Sequence, residues 1–218
     1  MTEAWPWVAL VLLGAYHGVN PGMGWLFAVA IGLQERRRKS VLQALFPIAL
    51  GHAVSIALVV AVVGSVQSIA PPRALRTGGA LALIAFGLFK FVKPRSHPRW
   101  VGMRIGGGEL ALWSFLMATA HGAGLMLFPV LLAFPTSARA EHLADHAQHL
   151  QRVAASGSIA RDGAAVLVHT IAMLLAMGAV ALVVYEKLGL AILRRAWFNL
   201  DRLWAAALIG AGAFALVA

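Results

Sequence analysis

The sequence predicts an all-α, polytopic membrane protein whose six transmembrane helices form a 3+3 inverted repeat. Three observations predict it: long uncharged apolar runs, basic residues in alternate connections, and an order of histidine-bearing segments that occurs twice. The 218 residues are 61% hydrophobic and only 12% charged. Charged residues are missing from Ala4 to Leu33, Ser40 to Pro72, Leu110 to Ala138 and Gly163 to Tyr185. A spanning helix needs about 20 mostly apolar residues to cross ~30 Å of hydrocarbon, and each of these runs is long enough.

The first run follows Glu3 rather than a basic segment, and no small-residue cleavage pattern follows it. It reads as a retained span rather than a signal peptide. As one continuous helix its thirty residues would extend about 45 Å, more than the bilayer core. Asn20-Pro21-Gly22 interrupts it, because proline removes a donor and glycine relaxes the backbone. A break here and a simple proline kink are both open. The second span centres on His52. The third, Thr77 to Val92, is short and requires Lys90 to snorkel towards the headgroups. The fourth begins beside Glu109, and the fifth begins at Gly163 with Asp162 placed to cap it. The sixth, Leu203 to Ala218, is again short. Residues 1–93 thus form a first three-span repeat and 94–109 a cytoplasmic connection. Residues 110–218 form the second repeat, with a polar extracytoplasmic insertion at 135–162.

The net charge of +10 follows orientation. Arg36, Arg37, Arg38, Lys39, Lys90, Lys93, Arg95, Arg99, Arg104, Lys187, Arg194, Arg195 and Arg202 are 13 of the 18 basic residues, and all fall in alternate connections. The positive-inside rule places those connections in the cytoplasm and both termini outside. Trp5, Trp7, Trp100, Trp197 and Trp204 fall near the span ends, where aromatic belts form. Basic residues explained in this way argue against nucleic acid as a partner; the partners expected are the lipid bilayer and a cation, with a homo-oligomer left open. There is no cysteine, so thiolate sites and disulfides are excluded.

The internal repeat carries the chemistry. GAYHGVNPGMG around His17 and ATAHGAGLM around His121 open the two halves, and LGHAVSIALVV (His52) and LVHTIAMLLAM (His169) follow in register. Three spans per half is an odd number, so the halves lie in opposite orientations, as in many secondary transporters. A single intramembrane histidine is ordinarily an interhelical hydrogen bond. Four in register point to a site, and imidazole is a common ligand for nickel, cobalt, copper and zinc. The lack of carboxylates in these runs argues against calcium, magnesium and carboxylate-bridged iron.

HGVNPGM resembles the opening signature of the nickel/cobalt transporters of the NicO and UreH type, within the LysE-like transporter superfamily. GHAVS resembles their second-span element. The resemblance implies a six-span inverted-repeat transporter and carries over His17, Pro21 and His52, with Asn20 inside the first motif. Met23 stands where that pattern has its second histidine. Met117 and His121 share a helix face at i, i+4, whereas Met126 on a continuous helix would turn away. A thioether softens such a site towards Cu(I).

The expectation is therefore a transporter handling a transition-metal ion, nickel, cobalt or copper, in a bacterial-type inner (plasma) membrane. Its metal ligands would be His17, His52, His121 and His169, with Asn20, Met23 and Met117 tuning selectivity. The alternatives are a heme- or metal-dependent membrane enzyme with His52 and His169 as ligands, and a non-metal exporter or assembly factor. His142, His146 and His149 with Asp145 read either as a metal-gathering cluster or as the polar face of an amphipathic helix.

Overall fold

The computed structural model describes residues 4–67, 71–93, 106–132, 134, 147–188 and 200–217, with 67, 72, 75, 132, 147–158, 188, 200–204 and 217 as backbone alone. Eight α-helices and no strand occur among the described residues. They are α1 (Trp5–Val19), α2 (Trp25–Glu35), α3 (Arg38–Gln67), α4 (Pro72–Val92), α5 (Gly107–His121), α6 (Ala123–Leu132), α7 (Ala147–Val183) and α8 (Leu200–Val217). A π turn, Val184–Leu188, extends α7.

The first apolar run is broken. A residue before proline is pushed out of the helical region, and Asn20 is extended at ψ 119°. The Asn20 side-chain oxygen accepts the Gly22 amide at 2.9 Å and starts a single 3-10 turn, Pro21–Met23. Gly24 at φ 112° then lets the chain restart as α2. The indole of Trp25 donates to the Val19 carbonyl at 3.1 Å, satisfying a group that the break exposes. A second break separates α5 from α6 at Gly122, φ 69°, where the two helices bend by 58°. Proline alone does not mark such points: Pro47 lies inside α3 and Pro129 inside α6.

Among the described residues two helices are long and apolar enough to cross a membrane, Arg38–Val66 and Ile159–Lys187, with a third if the bent α5–α6 pair is one span. Helix α3 exposes Phe46, Leu50, Val54, Leu58 and Val62, an apolar face at four-residue spacing. The other expected spans contain shorter apolar helices, Trp5–Val19, Trp25–Glu35 and Ala205–Leu216, and α4, which carries Arg73, Arg76 and Lys90.

The helices pack as α1 on α7, α3 on α5 and α4 on α8, with α3 also against α7. Glycines set the closest of these. A Cβ at Gly14 would collide with the His169 carbonyl oxygen, one at Gly18 with that of Met173, and one at Gly51 with that of Ala111. Backbones that approach this closely are usual where helices pack in lipid.

Two expectations need correction. Lys90 does not snorkel: it is buried, with its ammonium 5.9 Å from the Phe86 ring centroid. Asp162 does not cap a helix, because α7 begins at Ala147 and runs through it; it pairs with Arg161 at 3.3 Å instead. The latter part of the polar insertion is therefore helix, continuous with the fifth apolar run. Glu109 stands at the start of α5 as expected and accepts the Gly106 amide at 2.9 Å. His142 and Asp145 lie outside the described residues, as does His146, and the side chain of His149 is not among those described.

Candidate metal centre

All seven residues singled out from the sequence are buried: His17, His52, His121, His169, Asn20, Met23 and Met117. Three of them converge. One ring nitrogen from each of His17, His52 and His169 lies within 4.8 Å of the other two. His17 stands edge-on to both partners, with ring centroids 4.9 Å from His169 and 5.3 Å from His52. The His52 and His169 rings are stacked at 5.7 Å and 10°.

The helix contacts explain this convergence. Gly14 and Gly18 flank His17 on the face of α1 that meets α7, so closing that contact carries His17 against His169. Gly51 lets α3 settle on α5 and sets the depth of the neighbouring His52. Helical spacing then places the imidazoles between two apolar clusters. Ile48 and Met173, one turn from His52 and His169 on one side, belong to one cluster. Ile56 and Ala165, one turn away on the other side, belong to the second. The histidines form a polar layer sealed above and below.

Hydrogen bonding decides which nitrogens face that layer. Nδ1 of His17 donates to the Leu13 carbonyl at 2.7 Å, which leaves Nε2 as the lone-pair atom. His52 makes no hydrogen bond from either nitrogen among the described residues, although it is only 1% exposed. The nitrogens of His169 are likewise buried; the Leu10 carbonyl approaches that ring without reaching hydrogen-bond geometry. Thr170, next to His169, has a buried hydroxyl with no hydrogen-bond partner among the described residues. A buried polar group without a partner costs about 1–3 kcal/mol in proteins, so a cluster of them calls for an occupant.

The fourth histidine stands apart. His121 ends α5 and donates from Nδ1 to the Met117 carbonyl at 2.8 Å, repeating the four-residue bond of His17 to Leu13. Its Nε2 faces the break in the first half, 3.8 Å from where a Cβ on Gly22 would be. The neighbouring Ser55 and Thr119 hydroxyls are 2.9 Å apart and tie α3 to α5. Asn20 is spent in part on the turn, through its bond to Gly22.

Met23 packs with Leu83, Met126, Phe128 and Leu208 in a third apolar cluster. Because the chain bends at Gly122, Met126 is not on a continuation of α5, and it joins Met23 where Met117 does not. Met23 and Met126 thus share one apolar cluster. Thr170, missed in the sequence, could have been noticed as the polar residue adjoining His169.

The arrangement does not favour heme. Axial ligation by His52 and His169 requires a macrocycle between them, and the edge of the His17 ring is packed against both. Three buried, converging imidazoles suit a transition-metal ion, which needs only their lone pairs.

No family model matches the chain, and neither the curated proteins nor the solved structures compared with it include a match.

Proposed function

We propose that the chain is a transporter-like membrane protein that binds a transition-metal cation within the bilayer, with His17, His52 and His169 as its ligands. The observation that carries the proposal is the convergence of three buried imidazoles, two of them without hydrogen-bond partners among the described residues. The metal is substrate, held in a layer closed on both sides, and its release requires one of the two apolar clusters to open. His121, facing the first break, extends the path beyond the three-histidine layer.

A six-span, 3+3 inverted repeat accounts for the packing. If α1–α2, α3 and α4 correspond to α5–α6, α7 and α8, then α1 on α7 and α3 on α5 are equivalent contacts, while α4 on α8 and α3 on α7 lie on the pseudo-axis. Each half also breaks its first span at or just after a His-Gly pair, at Asn20 after His17-Gly18 and at Gly122 of His121-Gly122. Broken spans around a midplane site are common in inverted-repeat transporters. Their C-terminal half-ends carry partial negative charge, which favours a cation. Two further contacts agree with a cytoplasmic side holding the basic connections. Arg38 pairs with Glu186 at 3.2 Å at one end. Trp7 meets Phe134 edge-on at 5.1 Å at the other, with Arg161 over the same Phe134 ring.

Proteoliposomes holding a metal-sensitive dye test the proposal. Wild-type protein should admit one or more of copper, nickel, cobalt and zinc, and the His17→Ala/His52→Ala variant should admit none above the lipid background. Equal flux in the variant would refute it, as would no flux of any of these ions with wild type.

A further inference from the structure

The donor set lacks compensating charge, and that bears on which metal it holds. Four carboxylates are among the described side chains, and each is engaged by a neighbouring group. Glu35 accepts from Ser40, Glu109 from the Gly106 amide, Asp162 pairs with Arg161 and Glu186 with Arg38. None joins the group formed by His17, His52 and His169. Imidazole binds metal in its neutral form, so the three ligands bring no negative charge with them.

The cost of taking an ion out of water grows with the square of its charge. A divalent ion in this layer would bring two positive charges to a ligand group that no carboxylate among the described residues joins. What negative potential the site has comes from the carbonyl ends of α1 and α5, about half an elementary charge each. Together they balance roughly one unit, not two. Alkali cations are monovalent but prefer oxygen donors, whereas soft d10 ions accept nitrogen.

We infer that the site selects a soft monovalent cation of the Cu(I)/Ag(I) class over divalent nickel, cobalt or zinc. The inference rests on the metal-site proposal above and would fall with it.

Detergent-purified protein, kept anaerobic, is offered Ag(I), Zn(II), Ni(II) and Co(II) at the same free concentration, desalted, and analysed by elemental mass spectrometry. Wild type should retain about one Ag(I) per chain and at least tenfold less of each divalent ion. His52→Gln should lower Ag(I) retention at least tenfold while eluting as folded protein; His169→Gln serves if that variant does not fold. His52→Glu supplies the missing charge and should raise the Zn(II)-to-Ag(I) ratio at least tenfold. Divalent retention above Ag(I) in wild type, lost in His52→Gln, would overturn the inference and leave the metal site standing. Ag(I) retained undiminished in both glutamine variants would place the ion elsewhere and overturn it. An unchanged ratio in His52→Glu would remove charge as the cause. No retention of any ion by wild type would overturn the metal-site proposal itself.

Discussion

His17 and His169 stand edge to face, 4.9 Å between ring centroids, on two helices whose backbones touch at Gly14 and Gly18. The imidazoles are close because the glycines have no Cβ. Gly14→Ala should therefore cost about 1–3 kcal/mol of stability, as overpacking does. It should also weaken metal retention by moving His17 off its partners. Gly163→Ala is the control: its Cβ would meet nothing, and alanine in a helix gains about 0.5–1 kcal/mol over glycine. Thermal unfolding in detergent checks both, and equal melting temperatures would mean that the α1–α7 contact is looser than described.

His52 makes the opposite case, a residue kept at a cost. Both of its nitrogens are buried without hydrogen bonds among the described residues. Replacing it with leucine removes that penalty, so metal-free His52→Leu should be more stable than wild type by about 1 kcal/mol. Added metal should raise the melting temperature of wild type and leave that of the variant unchanged. If the histidines were interhelical polar contacts, His52→Leu would instead lose stability, by about 0.6 kcal/mol for a typical intramembrane hydrogen bond.

The sequence makes some of this architecture legible and not the rest, for physical reasons. Histidines inside uncharged runs must be buried wherever such runs become membrane helices, and all four are. The break at Asn20 could be foreseen from Pro21, since the residue before a proline leaves the helical region. The break at Gly122 could not, because glycine is common inside apolar helices and Pro129 further on does not interrupt α6. Which three histidines meet depends on the depth at which α1, α3 and α7 dock. Glycine-to-backbone contacts between distant segments fix that depth, and no pattern within one segment records them. The same holds for Lys90, whose burial depends on the packing of α4 against its neighbours.

Gly122 holds a left-handed conformation at φ 69°, and a Cβ there would also come within 2.9 Å of the Phe86 ring. Gly122→Ala should lose about 1–2 kcal/mol for the backbone, with a further loss from the contact. Combining it with Phe86→Leu should recover the steric part and leave the backbone part. Unfolding of the two single variants and the double variant separates the contributions. If Phe86→Leu restores nothing, the strain at Gly122 is wholly conformational.

The inverted repeat makes a claim about sides that can be tested cleanly because the chain has no cysteine. Helix α3 runs between the Arg38–Glu186 pair at one end and the connection preceding α4 at the other. Single cysteines in place of Arg37 and Lys187 should react with an impermeant maleimide from the cytoplasmic face alone. Cysteines in place of Arg73 and Ala160 should react from the opposite face alone. All four positions are exposed on the surface of the chain at helix or apolar-run ends, so the substitutions should leave stability within about 0.5 kcal/mol. The discriminating comparison is Arg37 against Arg73. If both label from the same face, α3 does not cross the bilayer, the halves are not inverted, and the equivalence of the α1–α7 and α3–α5 contacts has another origin. Labelling from opposite faces, with Lys187 on the side of Arg37, fixes α3 and α7 as antiparallel spans. His52 and His169 then lie between two separate apolar seals, the arrangement that alternating release requires.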